Sequence, residues 1–186
     1  MDLEYLFLIF FVHLATYWGS VLVYDRRGSW ACAKQVLINQ CLITPWVAWI
    51  PLLHAKELDT LHMFWQIPVA VEIVDVLFYT IHRFFHTPYM YRRYHVVHHT
   101  YEEPFAMAAL YAHHVEHLLA NAIPPLIAGV LTRMNTFVYL VWIAIGTINT
   151  IVSHSKENQH TTHHRRRNRN FGVGLLLLDR AFGTLA

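Results

Sequence analysis

The sequence predicts an all-α integral membrane protein: about four to five transmembrane or membrane-embedded helices capped by a cytosolic, histidine-rich helical region. Three observations predict it. The chain is 55% hydrophobic and only 14% charged, whereas soluble domains carry ~25% charged residues. Its apolar stretches reach the ~20 residues that a bilayer-crossing helix needs. Its 15 histidines, against 2 cysteines, gather beside those stretches. At 186 residues the chain fits one domain, 1–186, with no linker or internal repeat. The composition excludes a disordered chain and argues against an ordinary soluble enzyme. A net charge of +2 is too small to argue for nucleic acid, and no nucleic-acid partner is expected.

The first expected span is Leu3–Val23, interrupted only by Glu4 and His13. Asp2 and Glu4 stand where a removable signal peptide would be basic, so a spanning helix is the better reading. Ala31–Leu53 is the second, with Pro45 and Pro51 as kinks or an end. Leu61–Ile81 is the third; Glu72 and Asp75 are costly in lipid and call for a protein-facing side. His117–Leu131, containing Pro124-Pro125, and Thr136–Ile151 follow as a helical hairpin around Arg133-Met134-Asn135, less than fully spanning. With odd-numbered spans running inward, all 14 basic residues except Lys56 and Arg133 lie on the inner side. This bias places residues 82–99 and 154–164 in the cytosol.

Cys32 and Cys41 form no Cys-x-x-Cys pair and read as small buried hydrophobes. Ser155–Asn170 reads as a solvated basic loop near lipid head groups, apart from its histidines. Three histidine clusters carry the chemistry: His82-Arg-Phe-Phe-His86, His95-Val-Val-His98-His99 and His160-Thr-Thr-His163-His164. On a helix, positions i, i+3 and i+4 share a face, so each cluster can aim two or three imidazoles at one point. A lone membrane histidine is usually a hydrogen-bonded core residue, but eight in three such clusters point to metal. Eight nitrogens are too many for one ion and suit two held side by side. No H-E-x-x-H zinc-protease pattern occurs. Only Glu157-Asn-Gln-His160 fits the E-x-x-H of carboxylate-bridged bundles, which need it paired. Imidazole suits Fe, Zn, Cu and Ni alike, so spacing alone leaves the metal open.

The stretch from Asp75 through Tyr79, His82, His86 and Tyr91 to His95, His98 and His99 resembles the fatty acid hydroxylase and sterol desaturase superfamily. So do Ala112-His113 with Val115-Glu116-His117, the third cluster, Asn170-Phe-Gly172 and Asp179-Arg-Ala-Phe-Gly183-Thr184. The resemblance implies a membrane enzyme of the endoplasmic reticulum that oxidises an unactivated C–H bond. It would use a histidine-held di-iron centre, O2 and two electrons, with zinc as a possible substitute metal. His82 and His86 match the first box, His95, His98 and His99 the second, and His160, His163 and His164 the third. His154 matches an isolated histidine upstream of the last box and is the ninth expected ligand. The family often has His-Pro where this chain has His113-His114, so those residues and His117 are expected outside the ligand set. With no cytochrome b5-like domain in the sequence, electrons are expected from a separate donor of the cytochrome b5 or reductase type.

Asp75, Tyr79, His82 and His86 share one helical face. Ligand histidines usually donate their second N–H to a carboxylate or carbonyl. Asp75 is expected to accept such a bond, with Tyr79, His113 and His117 as further supporting positions. Glu72 is expected to share that network, and Glu116 to serve the His113–His117 segment. The expected substrate is a membrane lipid, sterol or acyl chain. The alternative is a non-catalytic metal-binding or transport protein, but transport predicts histidines strung across the membrane rather than gathered on one side.

Overall fold

The computed structural model describes residues 3–42, 45, 62–155 and 158–186. The second half of the expected span Ala31–Leu53, and Lys56, Lys156 and Glu157, lie outside the described residues. Among the described residues the fold is all-α. We number the helices α1 (Leu3–Tyr24), α2 (Trp30–Leu42), α3 (Met63–Phe85), α4 (Pro88–Met90), α5 (His114–Glu116), α6 (Ile123–Leu131), α7 (Thr136–Ser155), α8 (Gln159–Arg166) and α9 (Leu177–Ala181).

Three of these are long and apolar enough to cross a membrane: 21 residues of α1, 23 of α3 and 20 of α7. At ~1.5 Å rise per residue each reaches about 30 Å, the thickness of the hydrocarbon core. Thr136–Ile151, expected to be less than spanning, is thus a full-length apolar helix extended to Ser155. Phe7, Phe11 and Leu22 on α1 and Phe64, Val69 and Val76 on α3 point outward, as lipid-facing side chains do.

The packing fixes the sense of these helices. Ile9 near the start of α1 packs with Ala70 of α3 and with Val138 and Tyr139 near the start of α7. Tyr17 and Val21 near the end of α1 pack with Ile151 near the end of α7. The three helices therefore run in parallel, and their C-terminal ends meet on one side.

Between α3 and α7 the chain returns in one helical run built from α5, a π-helical turn at His117–Ala122 and α6. Pro124 and Pro125 lack the N–H groups that would bond back to residues 120 and 121. The ladder shifts instead to a wider step, with the Ile123 N–H on the Leu118 carbonyl. At the far end, Gln66 Nε2 donates to the Thr132 carbonyl at 3.0 Å, satisfying one of the carbonyls left open where α6 stops. Asn135 Oδ1 accepts the Val138 N–H at 2.9 Å and starts α7. Gly129 lets α6 and α7 close, since a Cβ there would meet the Tyr139 ring at 2.6 Å.

Two expectations are corrected here. The segment read as a basic loop contains α8, with His160, Thr161, His163 and His164 buried and the arginines 165–167 exposed. Its start is a capping box: the Asn158 side chain accepts from the amides of His160 and Thr161, and Thr161 Oγ1 accepts the Asn158 N–H. Cys32 is buried as expected, but Cys41 is exposed on the outer side of α2.

Candidate metal centre

Nine histidines converge where the C-terminal ends of α3 and α7 meet α8. They divide into two groups: His82, His86, His95, His99 and His163; and His98, His154, His160 and His164. Within each group the ring nitrogens lie within 4.8 Å of one another. Helical geometry explains the division. Each i, i+4 pair (82 and 86, 95 and 99, 160 and 164) stays in one group. The i+3 members cross over, His98 to the second group and His163 to the first. The sequence triplets therefore do not each converge on one point, as their spacing alone implies; the second and third clusters are shared between the two groups. The second cluster is also not a regular α-helix. It runs through a π-helical turn, Tyr91–His95, and a 3-10 turn, His98–Thr100.

Most Nδ1 atoms are committed outward. His82 Nδ1 donates to the Phe171 carbonyl at 2.6 Å, His163 Nδ1 to the Arg169 carbonyl at 2.6 Å and His154 Nδ1 to the Thr150 carbonyl at 2.8 Å. His98 and His164 face the carbonyls of Tyr111 (3.3 Å) and Tyr101 (3.1 Å). His95 Nδ1 donates to Glu116 Oε1 at 2.7 Å. A ring whose Nδ1 carries the proton presents a bare lone pair on Nε2.

In the first group the Nε2 atoms of His82 and His95 are 3.1 Å apart. The pairs 86–95, 95–99, 86–163 and 99–163 stand at 2.9, 3.2, 3.0 and 3.2 Å. His82 and His95 have both spent their protons on outer acceptors, so their facing lone pairs repel unless a cation lies between them. Nitrogens ~2.1 Å from one ion and at right angles to each other are about 3 Å apart. In the second group, His154 and His160 Nε2 are 3.1 Å apart, and His164 Nε2 is buried without a partner. The donor set thus fits two first-row metal ions, one per group.

Burial keeps the rings neutral, since removing a cation from water is costly. It pushes His98 down to about 4, His163 to about 3 and His86 to about 2. His95, His99, His160 and His164 are pushed down as well, with neighbouring rings adding to burial. At neutral pH these rings are ready to bind metal without first losing a proton.

The supporting residues differ from expectation. Asp75 meets no histidine: Oδ2 accepts the Leu177 N–H at 3.2 Å and Oδ1 has no hydrogen-bond partner. Tyr79 OH accepts from Arg83 at 2.7 Å and pairs with Thr184 Oγ1 at 3.2 Å. His113 caps α5 by accepting the Val115 N–H, and His114 bonds Asn39 Oδ1. His117 contacts neither group. Glu116 serves His95, not its own segment.

A role the sequence left unassigned falls to Asp179, wholly buried. It accepts the amides of Phe171 and Gly172 at 2.9 and 2.7 Å and the Thr184 hydroxyl at 2.7 Å. It therefore holds the loop whose Phe171 carbonyl orients His82. The signal was present in Asn170-Phe-Gly172 and Asp179, but the spacing alone names no partner for them.

An apolar cavity of about 390 Å³ adjoins both groups. His82, His98, His154 and His160 line its histidine end, and Val71, Phe78, Leu110, Trp142 and Ile143 its walls.

The sequence is similar to several known proteins. It is 30% identical over 168 residues to fatty acid hydroxylase domain-containing protein 2 of Homo sapiens, covering 81% of this chain and 50% of that one. It is 30% identical over 141 residues to methylsterol monooxygenase 1-1 of Arabidopsis thaliana, covering 71% and 47%. It is 35% identical over 121 residues to fatty acid hydroxylase ahd1 of Mycosarcoma maydis, covering 60% and 31%. The chain thus spans about half the length, or less, of these curated relatives. No solved structure matches it. The family model described as fatty acid hydroxylase matches residues 67–184, a stretch that contains all nine converging histidines. The chain belongs to the fatty acid hydroxylase family, within the fatty acid hydroxylase and sterol desaturase superfamily.

Proposed function

We propose that the protein carries out O2-dependent oxidation of a C–H bond of a membrane lipid, sterol or fatty acyl chain, by hydroxylation, desaturation or methyl oxidation, at a di-iron centre held by the nine histidines. The observation that carries this reading is the pair of adjacent, inward-facing nitrogen groups at one end of an apolar cavity between membrane-length helices. When bound, the metal pair supplies activation of O2 and removal of hydrogen, chemistry that side chains alone do not provide.

The protein's own residues do the rest. Carbonyls of Tyr101, Tyr111, Thr150, Arg169 and Phe171, with Glu116, hold the rings in one tautomer and orientation. Val71, Phe78 and Trp142 bind an apolar chain and keep water from the histidine end. The two electrons come from a separate donor of the cytochrome b5 or reductase type. The enzyme works in the endoplasmic reticulum membrane with its histidines on the cytosolic side, a placement supported by the bias of basic residues toward that side. Zinc is the metal expected to substitute after overexpression.

The test compares lipid extracts, by mass, from cells expressing the wild type, His98→Ala or His163→Ala. Wild-type cells should gain lipids carrying an added oxygen or lacking a pair of hydrogens, and both variants should lose them. Lipid oxidation at an unchanged rate in both variants would refute the reading.

A further inference from the structure

The cavity carries polar chemistry that neither histidine group uses. His117 lines it, is 2% exposed, and has no hydrogen-bond partner on either ring nitrogen. It belongs to neither nitrogen group. Asn121, in the same π-helical turn, lines the same cavity. A neutral imidazole offers one donor and one acceptor, and burying both without partners is unfavourable.

Of the other polar groups on the walls, Asp75 Oδ1, Glu116 Oε2 and His160 Nδ1 are also buried without a partner, but each belongs to a side chain whose second polar atom is bonded or faces a histidine group. His13 lies 3.2 Å from Thr147 Oγ1 and 3.3 Å from Gln40 Nε2. Asp75 accepts the Leu177 N–H, and its second oxygen is packed against Gly174, where a Cβ would sit 3.0 Å away. With both ring nitrogens unpartnered, His117 offers a donor and an acceptor together to whatever fills the cavity. A hydroxyl group matches that pair, because it donates once and accepts as well.

We propose that His117, assisted by Asn121, anchors a hydroxyl group of the lipid in this cavity and so selects hydroxyl-bearing lipids and sets which carbon reaches the histidine end. The inference rests on the lipid-oxidation reading for the nature of the occupant. The π-helical turn contributes by offsetting the helical ladder at the step where His117 and Asn121 are presented.

The test measures binding rather than turnover, with metal-loaded protein in detergent. Two matched probe pairs are used: cholesterol against its 3-deoxy analogue, and 1-hexadecanol against hexadecane. For at least one pair the wild type should bind the hydroxyl form about tenfold more tightly, since a site built for a hydroxyl rejects the analogue that lacks it. His117→Leu should bind both members alike, through loss of affinity for the hydroxyl form only. Without lipid it should melt no lower than wild type, because it removes two unpartnered buried groups. His117→Phe keeps a ring, removes both nitrogens and should repeat the result, and it carries the test alone if His117→Leu does not fold. His117→Gln restores a donor and an acceptor and should recover part of the preference. Equal binding of both members of both pairs by the wild type, or a hydroxyl preference that survives His117→Leu or His117→Phe, overturns the assignment. Hydroxyl preference without lipid oxidation would keep the anchor and fail the oxidase reading; oxidation without the preference would do the reverse.

Discussion

What a histidine can offer through Nε2 is decided by what its Nδ1 meets. Six of the nine rings have Nδ1 on a carbonyl or carboxylate oxygen, so their inward nitrogens are bare. Five of those acceptors are backbone carbonyls, which side-chain substitution cannot remove. Glu116 is the exception and is therefore the place to test the principle. Glu116→Ala should weaken metal binding by about 10–100-fold, measured by competition with a chelator. Glu116→Gln keeps an oxygen for the His95 N–H and should lose less. An unchanged affinity in Glu116→Ala would mean that His95 needs no outer partner. The same residues show what sequence can and cannot reveal at this scale. Spacing singles out eight of the nine histidines, because helical periodicity is local; the ninth, His154, is implied only by the family resemblance. Spacing assigned a carboxylate to them wrongly, choosing Asp75 on the same helix over Glu116, because a partner across elements leaves no local trace.

At the scale of the element, hydrophobic length alone located α1, α3 and α7 to within a few residues at most of their ends. It under-read α7, whose last turn is polar in sequence yet buried against α8. It also missed the two π-helical turns, at Tyr91–His95 and His117–Ala122. The second was foreshadowed by Pro124-Pro125, but prolines indicate a break without saying how the ladder is rejoined. Close packing was equally illegible: nothing in the sequence separates Gly129 from Gly146. The structure does, since a Cβ at Gly129 meets the Tyr139 ring at 2.6 Å, whereas one at Gly146 meets nothing within 4 Å. Gly129→Ala should therefore destabilise the protein by about 1–3 kcal/mol. Gly146→Ala should be neutral or slightly stabilising, as alanine favours helix. Melting in detergent checks both, and equal effects would contradict the packing of α6 on α7.

Among the described residues, three parallel membrane-length helices bring their C-terminal ends together, and a kinked helical run carries the chain back from α3 to α7. That arrangement puts the histidines at one end of the helices, facing a cavity whose walls are apolar. The low charge content made the membrane class legible from composition, and the one-sided basic residues made a common side for the histidines legible from topology. The division into two nitrogen groups was not legible, because it depends on how α8 docks across the turn at His98–Thr100. On that division the central claim depends. The most direct test is the metal content of well-folded protein purified in detergent, counted per chain by elemental analysis. Two first-row metal ions per chain are expected, iron in the active preparation; one ion or none in folded protein would contradict the account.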